Sequence, residues 1–323
     1  MNSTKNENLD IFRDKVLIFF LILSIITVIS QITLGGIVRV TGSGDGCPDW
    51  PKCYDSWIPP FEYHALIEYA HRTLGASLGI FIFISTSIVW IKYRRNSSVI
   101  RLVTLSSILV FIVGMIGGVV VLSELSPSIR TLHLTLAQIV TALVILSYIY
   151  STYTFNLPIN KSSKWLWSKI DKEHKSILNF TVFAAIFTLV ALLSGSYAVW
   201  KEAGTVCSSW PLCGGSIIPQ SYLAWIHMFH RFISILSVFV VFFACYKVLK
   251  TEKISKHLRF ASISGIGLIF AQIIMGAANP LTTFEQWARA GHLSLATLIW
   301  VNMVFMIGFF LKPTKASEIN NIK

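Results

Sequence analysis

A chain of 323 residues that is 54% hydrophobic and 13% charged, with a mean hydropathy of +0.66, carries too little charge to cover a soluble domain of that length. Its net charge of +12 does not mark a nucleic-acid binder, because the basic residues fall in the segments between apolar runs. These properties point to a polytopic helical membrane protein.

Eight apolar runs are long enough to cross a hydrocarbon core, at roughly 16–38, 67–91, 102–122, 132–152, 178–200, 223–246, 260–280 and 290–311. The segment before the first run contains Glu7, Asp10 and Asp14, unlike an acid-poor transit peptide, and no cleavage signature precedes that run, so it is expected to be a retained helix. Twenty of the 27 basic residues lie in the two tails and in the connections after the second, fourth and sixth runs. The positive-inside bias predicts both termini in the cytoplasm and the other connections outside, in a prokaryotic plasma membrane.

The first outer connection holds Cys47-Pro-Asp-Trp-Pro-Lys-Cys53. The second run opens with Glu68, His71 and Arg72, and the fourth with Arg130 and His133. After a lysine-rich connection the set returns as Cys207-Ser-Ser-Trp-Pro-Leu-Cys213, His230-Arg231, and Arg289 with His292. The cysteines recur at an offset of 160 and the histidines at 159, so one structural unit occurs twice. The expected fold is all-α, with eight transmembrane helices as two pseudo-symmetric four-helix bundles in a parallel internal repeat. Residues 16–152 form the first half and 178–311 the second, with 153–177 as a cytoplasmic linker and 1–15 and 312–323 as cytoplasmic tails. Gly35 pairs with Gly195 and Gly117 with Gly276 in this register, which helix packing or a flat cofactor would each explain.

The cysteine pairs, in an oxidising exterior, are expected as disulfides Cys47–Cys53 and Cys207–Cys213. Each would stiffen a small loop, and a redox exchange role stays open beside that structural one. Cys245 is left as a buried free thiol.

The four histidines fall near the outer ends of even-numbered helices, where an ionisable residue inside a membrane is a functional candidate. Two imidazoles per bundle suggest a metal. Zinc would require further protein ligands, and no repeated carboxylate or thiol lies at that depth. Haem needs only axial ligands from protein, so His71 with His133, and His230 with His292, are predicted to ligate one haem iron each. Arg72, Arg130, Arg231 and Arg289 lie within a turn of these ligands and suit haem propionates toward the outer surface, with interfacial snorkelling as the plain alternative.

The repeat breaks at one informative place. Glu68 stands three residues before His71, on its helical face, while His227 occupies that position in the second half. A carboxylate there can move protons or stabilise charge at a macrocycle edge, or orient His71 through a hydrogen bond. His64, a turn earlier, reads as a solvated loop histidine, and the role of His227 is open.

With Gly-x-Gly-x-Gly-Cys-x-x-Trp-Pro-x-Cys in the first loop, Glu-x-x-His-Arg opening the second helix, and the four even-helix histidines, the chain resembles haem A synthase over about residues 16–311. The resemblance implies an oxidoreductase that converts the C8 methyl of haem O to a formyl group by two successive hydroxylations, giving haem A for terminal oxidases. It implies haem O as substrate at His71 and His133 with Glu68 as the catalytic acid, and haem b held at His230 and His292. Haem O synthase, membrane lipid and an electron partner such as a quinone are the implied partners, no nucleic acid is expected, and a homo-oligomer is allowed. A non-catalytic dihaem b electron carrier linked to quinol is the alternative reading, and a proton-coupled transporter a more distant one.

Overall fold

The computed structural model describes residues 3–94, 97–154, 172–252 and 254–311. Most of the linker at 153–177, the tail at 312–323, Arg95 and Lys253 therefore lie outside the described residues.

Eight helices account for the described chain: α1 Ser3–Val40, α2 Tyr63–Lys92, α3 Ser97–Leu122, α4 Pro127–Thr154, α5 Lys172–Trp200, α6 Tyr222–Lys250, α7 Lys256–Leu281 and α8 Gln286–Leu311. All eight are long and apolar enough to cross a membrane, so this is a multi-pass membrane protein. The apolar runs become helices because hydrocarbon offers their backbone groups no partner outside the segment. The helices overrun the apolar stretches: α2 begins at Tyr63 and α6 at Tyr222, and α1 reaches back through the N-terminal segment to Ser3. Backbone bonding continues into the polar flanks, where hydropathy stops reporting helix. Ser221 and Ser255 cap α6 and α7 by accepting from the N–H groups of Ala224 and Leu258.

Helices α1–α4 pack as a closed ring of four neighbours, and α5–α8 pack as another. The rings meet where α8 lies against α1 and α4, and where α4 meets α5. Bare backbone allows these approaches: a Cβ at Gly36 would lie 3.0 Å from the Leu293 side chain, and one at Gly308 would lie 2.4 Å from that of Ile149. At the centre of this contact Gln138 Nε2 donates to Thr297 Oγ1 at 3.1 Å, and Trp300 Nε1 donates to the Gln138 carbonyl at 3.0 Å. Gln138 and Thr297 are positions that the sequence repeat equates. The largest apolar core joins Ile145 and Ile149 of α4 to Val241, Met303 and Met306 of the second ring. Cys245 is a buried free thiol in that core.

Candidate functional site

Both cysteine loops close as expected, with disulfides Cys47–Cys53 and Cys207–Cys213. Each carries a cis Trp–Pro bond, at Trp50–Pro51 and Trp210–Pro211, and a β-bridge from its second cysteine, to Ser56 and Ser216. Gly46 must be bare, because a Cβ there would come within 2.3 Å of the His64 carbonyl. His64 itself is exposed and its Nδ1 bonds the Ser43 hydroxyl at 3.0 Å.

The arginines that follow His71 and His230 fasten these loops. Arg72 donates through Nη1 to the Asp49 and Lys52 carbonyls, both at 2.7 Å, and through Nη2 to the Cys47 carbonyl at 2.8 Å. Its Nε donates to Glu68 Oε1 at 2.9 Å, so four of its five N–H groups are engaged inside the protein. Arg231 donates to the Pro211 carbonyl at 2.8 Å and the Cys207 carbonyl at 3.3 Å. A cation at each loop base thus satisfies carbonyls that the tight ring does not pair within itself. Within the first loop Asp49 accepts from the N–H groups of Tyr54 and Asp55 at 2.6 and 2.8 Å. Desolvation pushes the Asp49 carboxyl up, but the N–H groups of Asp55 and Tyr54 and the Arg72 charge outweigh it and hold the pKa below the ordinary value.

The four histidines sit about two turns from the loop ends of α2, α4, α6 and α8. Each ring is seated on a glycine of an odd-numbered helix. A Cβ at Gly35, Gly117, Gly195 or Gly276 would lie 3.0, 3.2, 2.8 or 3.3 Å from Cε1 of His71, His133, His230 or His292, respectively. The paired glycines of the repeat are therefore imidazole seats, since any side chain there would displace a ring.

The His230 and His292 ring centroids stand 6.3 Å apart with their planes at 89°. A metal–imidazole bond is about 2 Å, which places two opposed ligand rings roughly 6 Å apart with one metal between them. His71 and His133 lie within electrostatic reach of each other. Among the described residues no group of three His, Cys, Asp or Glu could hold a bare metal ion. The donor set is two imidazoles per bundle, which fits a haem iron whose other four ligands come from the macrocycle. The backbones of Gln31, Val113 and Ala191, each one turn before the seating glycine, face His71, His133 and His230, and His230 Nδ1 in addition bonds Ser194 Oγ at 3.0 Å.

Glu68 is 5% exposed, and Arg72 is its salt-bridge partner, not His71. In the second half His227 fills that position and bonds the Ala203 carbonyl through Nδ1 at 2.8 Å.

The remaining arginines point to anionic ligands. Arg130 of α4 lays its guanidinium over the Trp200 ring of α5, 4.1 Å from the centroid, and its Nε is buried without a partner. Arg289 has no carboxylate partner among the described residues. Arg39, at the end of α1, lies within electrostatic reach of both Arg289 and His292, and its Nε is also buried and unpaired. A first-half helix thus supplies a cation to the second histidine pair. Sequence reasoning missed Arg39, although a signal exists: of the seven basic residues outside the tails and the connections after the second, fourth and sixth apolar runs, five are arginines, namely Arg39, Arg72, Arg130, Arg231 and Arg289. A cation at the end of a membrane-spanning helix, away from the lysine-rich connections, is a functional candidate.

The chain matches the COX15-CtaA family, described as cytochrome oxidase assembly protein, over residues 18–64 and 59–304. It is similar to haem A synthase of Alkalihalophilus pseudofirmus, at 26% identity over 93% of this chain and 99% of the relative. Haem A synthase of Oceanobacillus iheyensis is 25% identical over 93% of this chain and 97% of the relative. That of Macrococcus caseolyticus is 24% identical over 84% and 90%. With most of its length covered by the family match, the chain belongs to the COX15-CtaA family.

Proposed function

We propose that this chain is a haem A synthase, which oxidises the C8 methyl of haem O to a formyl group in its first half and keeps a haem b in its second. The observation that carries the division of labour is the buried Glu68, one turn from His71, where the second half has a histidine bonded to backbone. A bound haem supplies iron redox chemistry and, in the first half, the methyl to be oxidised.

In this reading His71 and His133 hold haem O from the seats at Gly35 and Gly117, and His230 and His292 hold haem b from Gly195 and Gly276. With haem O bound, Glu68 would accept or return protons for the oxidation, and Arg72 fixes the direction of its carboxylate. Propionates fall to Arg130 and to the Arg39–Arg289 pair, whose Nε atoms at Arg130 and Arg39 lack a protein acceptor. Arg72 and Arg231 serve mainly as loop clamps. The two loops exclude water from the loop ends of the sites.

The distribution of basic residues supports cytoplasmic termini and cysteine loops outside. The Gln138–Thr297 bond between repeat-equivalent positions supports a pseudo-twofold axis along the membrane normal. Haem O arrives from the synthase that makes it, and electrons pass to a partner in the membrane such as a quinone. The test is to purify the full chain and chromatograph its extracted haem. A mixture of haems B, O and A is expected; haem B alone would favour a dihaem electron carrier, and no haem would favour a transporter.

A further inference from the structure

His71 has a neighbour that none of the other three histidines has. Gln31, one turn before Gly35 on α1, places its side-chain nitrogen 3.4 Å from His71 Nε2. The amide reaches that point because α2 is bare beside it, where a Cβ at Gly75 would lie 3.0 Å from the Gln31 nitrogen. Its Oε1 is buried without a partner. An amide ends in both a donor and an acceptor, so either orientation of Gln31 gives His71 Nε2 a hydrogen bond.

The second half is built differently at each of these positions. Ala191 stands where Gln31 does, Ser234 where Gly75 does, and Ser194 where Leu34 does. The large–small pair Gln31 and Gly75 is thus replaced by a small–larger pair. The backbone of Gln31 and that of Ala191 face His71 and His230 alike, so the difference lies in side chains: among the described residues no side-chain amide bonds His230 or His292, and the Ser194 hydroxyl bonds His230 from the opposite nitrogen, Nδ1. A hydrogen bond at Nδ1 holds the tautomer whose Nε2 lone pair faces the metal, which strengthens ligation. A hydrogen bond at Nε2 does the reverse, because it uses the lone pair that a metal would take.

We infer that Gln31 is a positioning residue that makes the first site exchangeable: its amide takes His71 Nε2 whenever iron leaves it, so haem can enter and depart, while the Ser194–His230 bond retains haem in the second site. This rests on the reading of the first half as the substrate site. A site that must release its product each cycle benefits from a built-in competitor for its ligand, and a permanent cofactor site does not.

The test follows haem loss from the purified full-length protein to excess apomyoglobin, with remaining haems B, O and A separated by chromatography over time. Gln31→Leu keeps the side-chain bulk against Gly75 but cannot hydrogen-bond. It is expected to shed haems O and A about fivefold more slowly, the size of one net hydrogen bond, with haem B loss unchanged as an internal control. Ser194→Leu should accelerate haem B loss by a similar factor and leave haems O and A unaffected. Loss of haems O and A from Gln31→Leu at the wild-type rate or faster would overturn the inference. If that variant fails to fold, an unchanged haem B rate in Ser194→Leu overturns it instead. Absence of haems O and A from the wild-type protein would sink the underlying substrate-site reading, a distinguishable failure.

Discussion

The first and second halves seat their histidines alike and surround them unlike. Both press an imidazole from each even helix onto a glycine of an odd helix, and both tie a disulfide loop down with the arginine after the first histidine. Around those shared parts the first half has Glu68, Gln31 and a charged loop brace at Asp49, where the second has His227, Ala191 and Ser209. The histidine seats and loop ties thus recur in both halves, and the differences lie in the side chains beside them. The physical lesson is that a buried ligand pair tolerates little change, whereas positions one turn away can take a carboxylate or an amide without disturbing the seat.

The hardest test of this division removes the ligands. His71→Ala or His133→Ala should abolish haem A formation while the protein keeps its haem B, and His230→Ala or His292→Ala should remove haem B; loss of the same haem from both pairs would break the comparison. Next in size is Glu68→Gln, which keeps a hydrogen-bonding partner for Arg72 but no proton to give. Haem A output should fall about 100-fold with haem B content unchanged. Near-normal output would mean that Glu68 matters only for holding Arg72.

The glycine seats give a graded effect. Gly195→Ala meets its ring at 2.8 Å and should cut haem B occupancy by about tenfold, as overpacking by one methyl does, whereas Gly276→Ala at 3.3 Å should cut it less. Equal occupancy in the two variants would show that the rings move freely off their seats. The smallest effect concerns the loops. The Asp49 pKa is held below its ordinary value of about 3.9, so its brace is present above that pH and is lost as pH falls through the lowered value. Limited proteolysis against pH should therefore open the first loop only in strong acid. The second loop should show no matching transition, since its counterpart brace is the neutral Ser209, which accepts from the Gly214 N–H at 2.8 Å.

Much of this architecture was legible from the chain. The eight spans follow from apolar runs, the four imidazoles from intramembrane histidines at matched offsets, and the disulfides from paired cysteines. The special position of Glu68 was legible too, as the place where the repeat breaks. Other assignments were not. Arg72 reads in the sequence as a propionate partner or a snorkelling cation, and only the folded loop shows the carbonyls that engage it. Arg39 and Gln31 looked like ordinary residues near the end of a span, because α1 gives no sign in its own sequence of which neighbour each face meets.

By itself, the sequence determined the membrane class, the recurring set of cysteines and histidines and the disulfide pairs, since hydropathy, residue spacing and side-chain chemistry are properties of single segments. Tertiary structure alone decided which half each cation and amide serves. Arg39 belongs to the first ring by sequence yet lies within electrostatic reach of His292, because the bare backbone at Gly36 lets α1 close on Leu293 of α8. Such a contact depends on the relative rotation and approach of two helices more than 250 residues apart, set by where small residues let backbones touch, and no local periodicity encodes it.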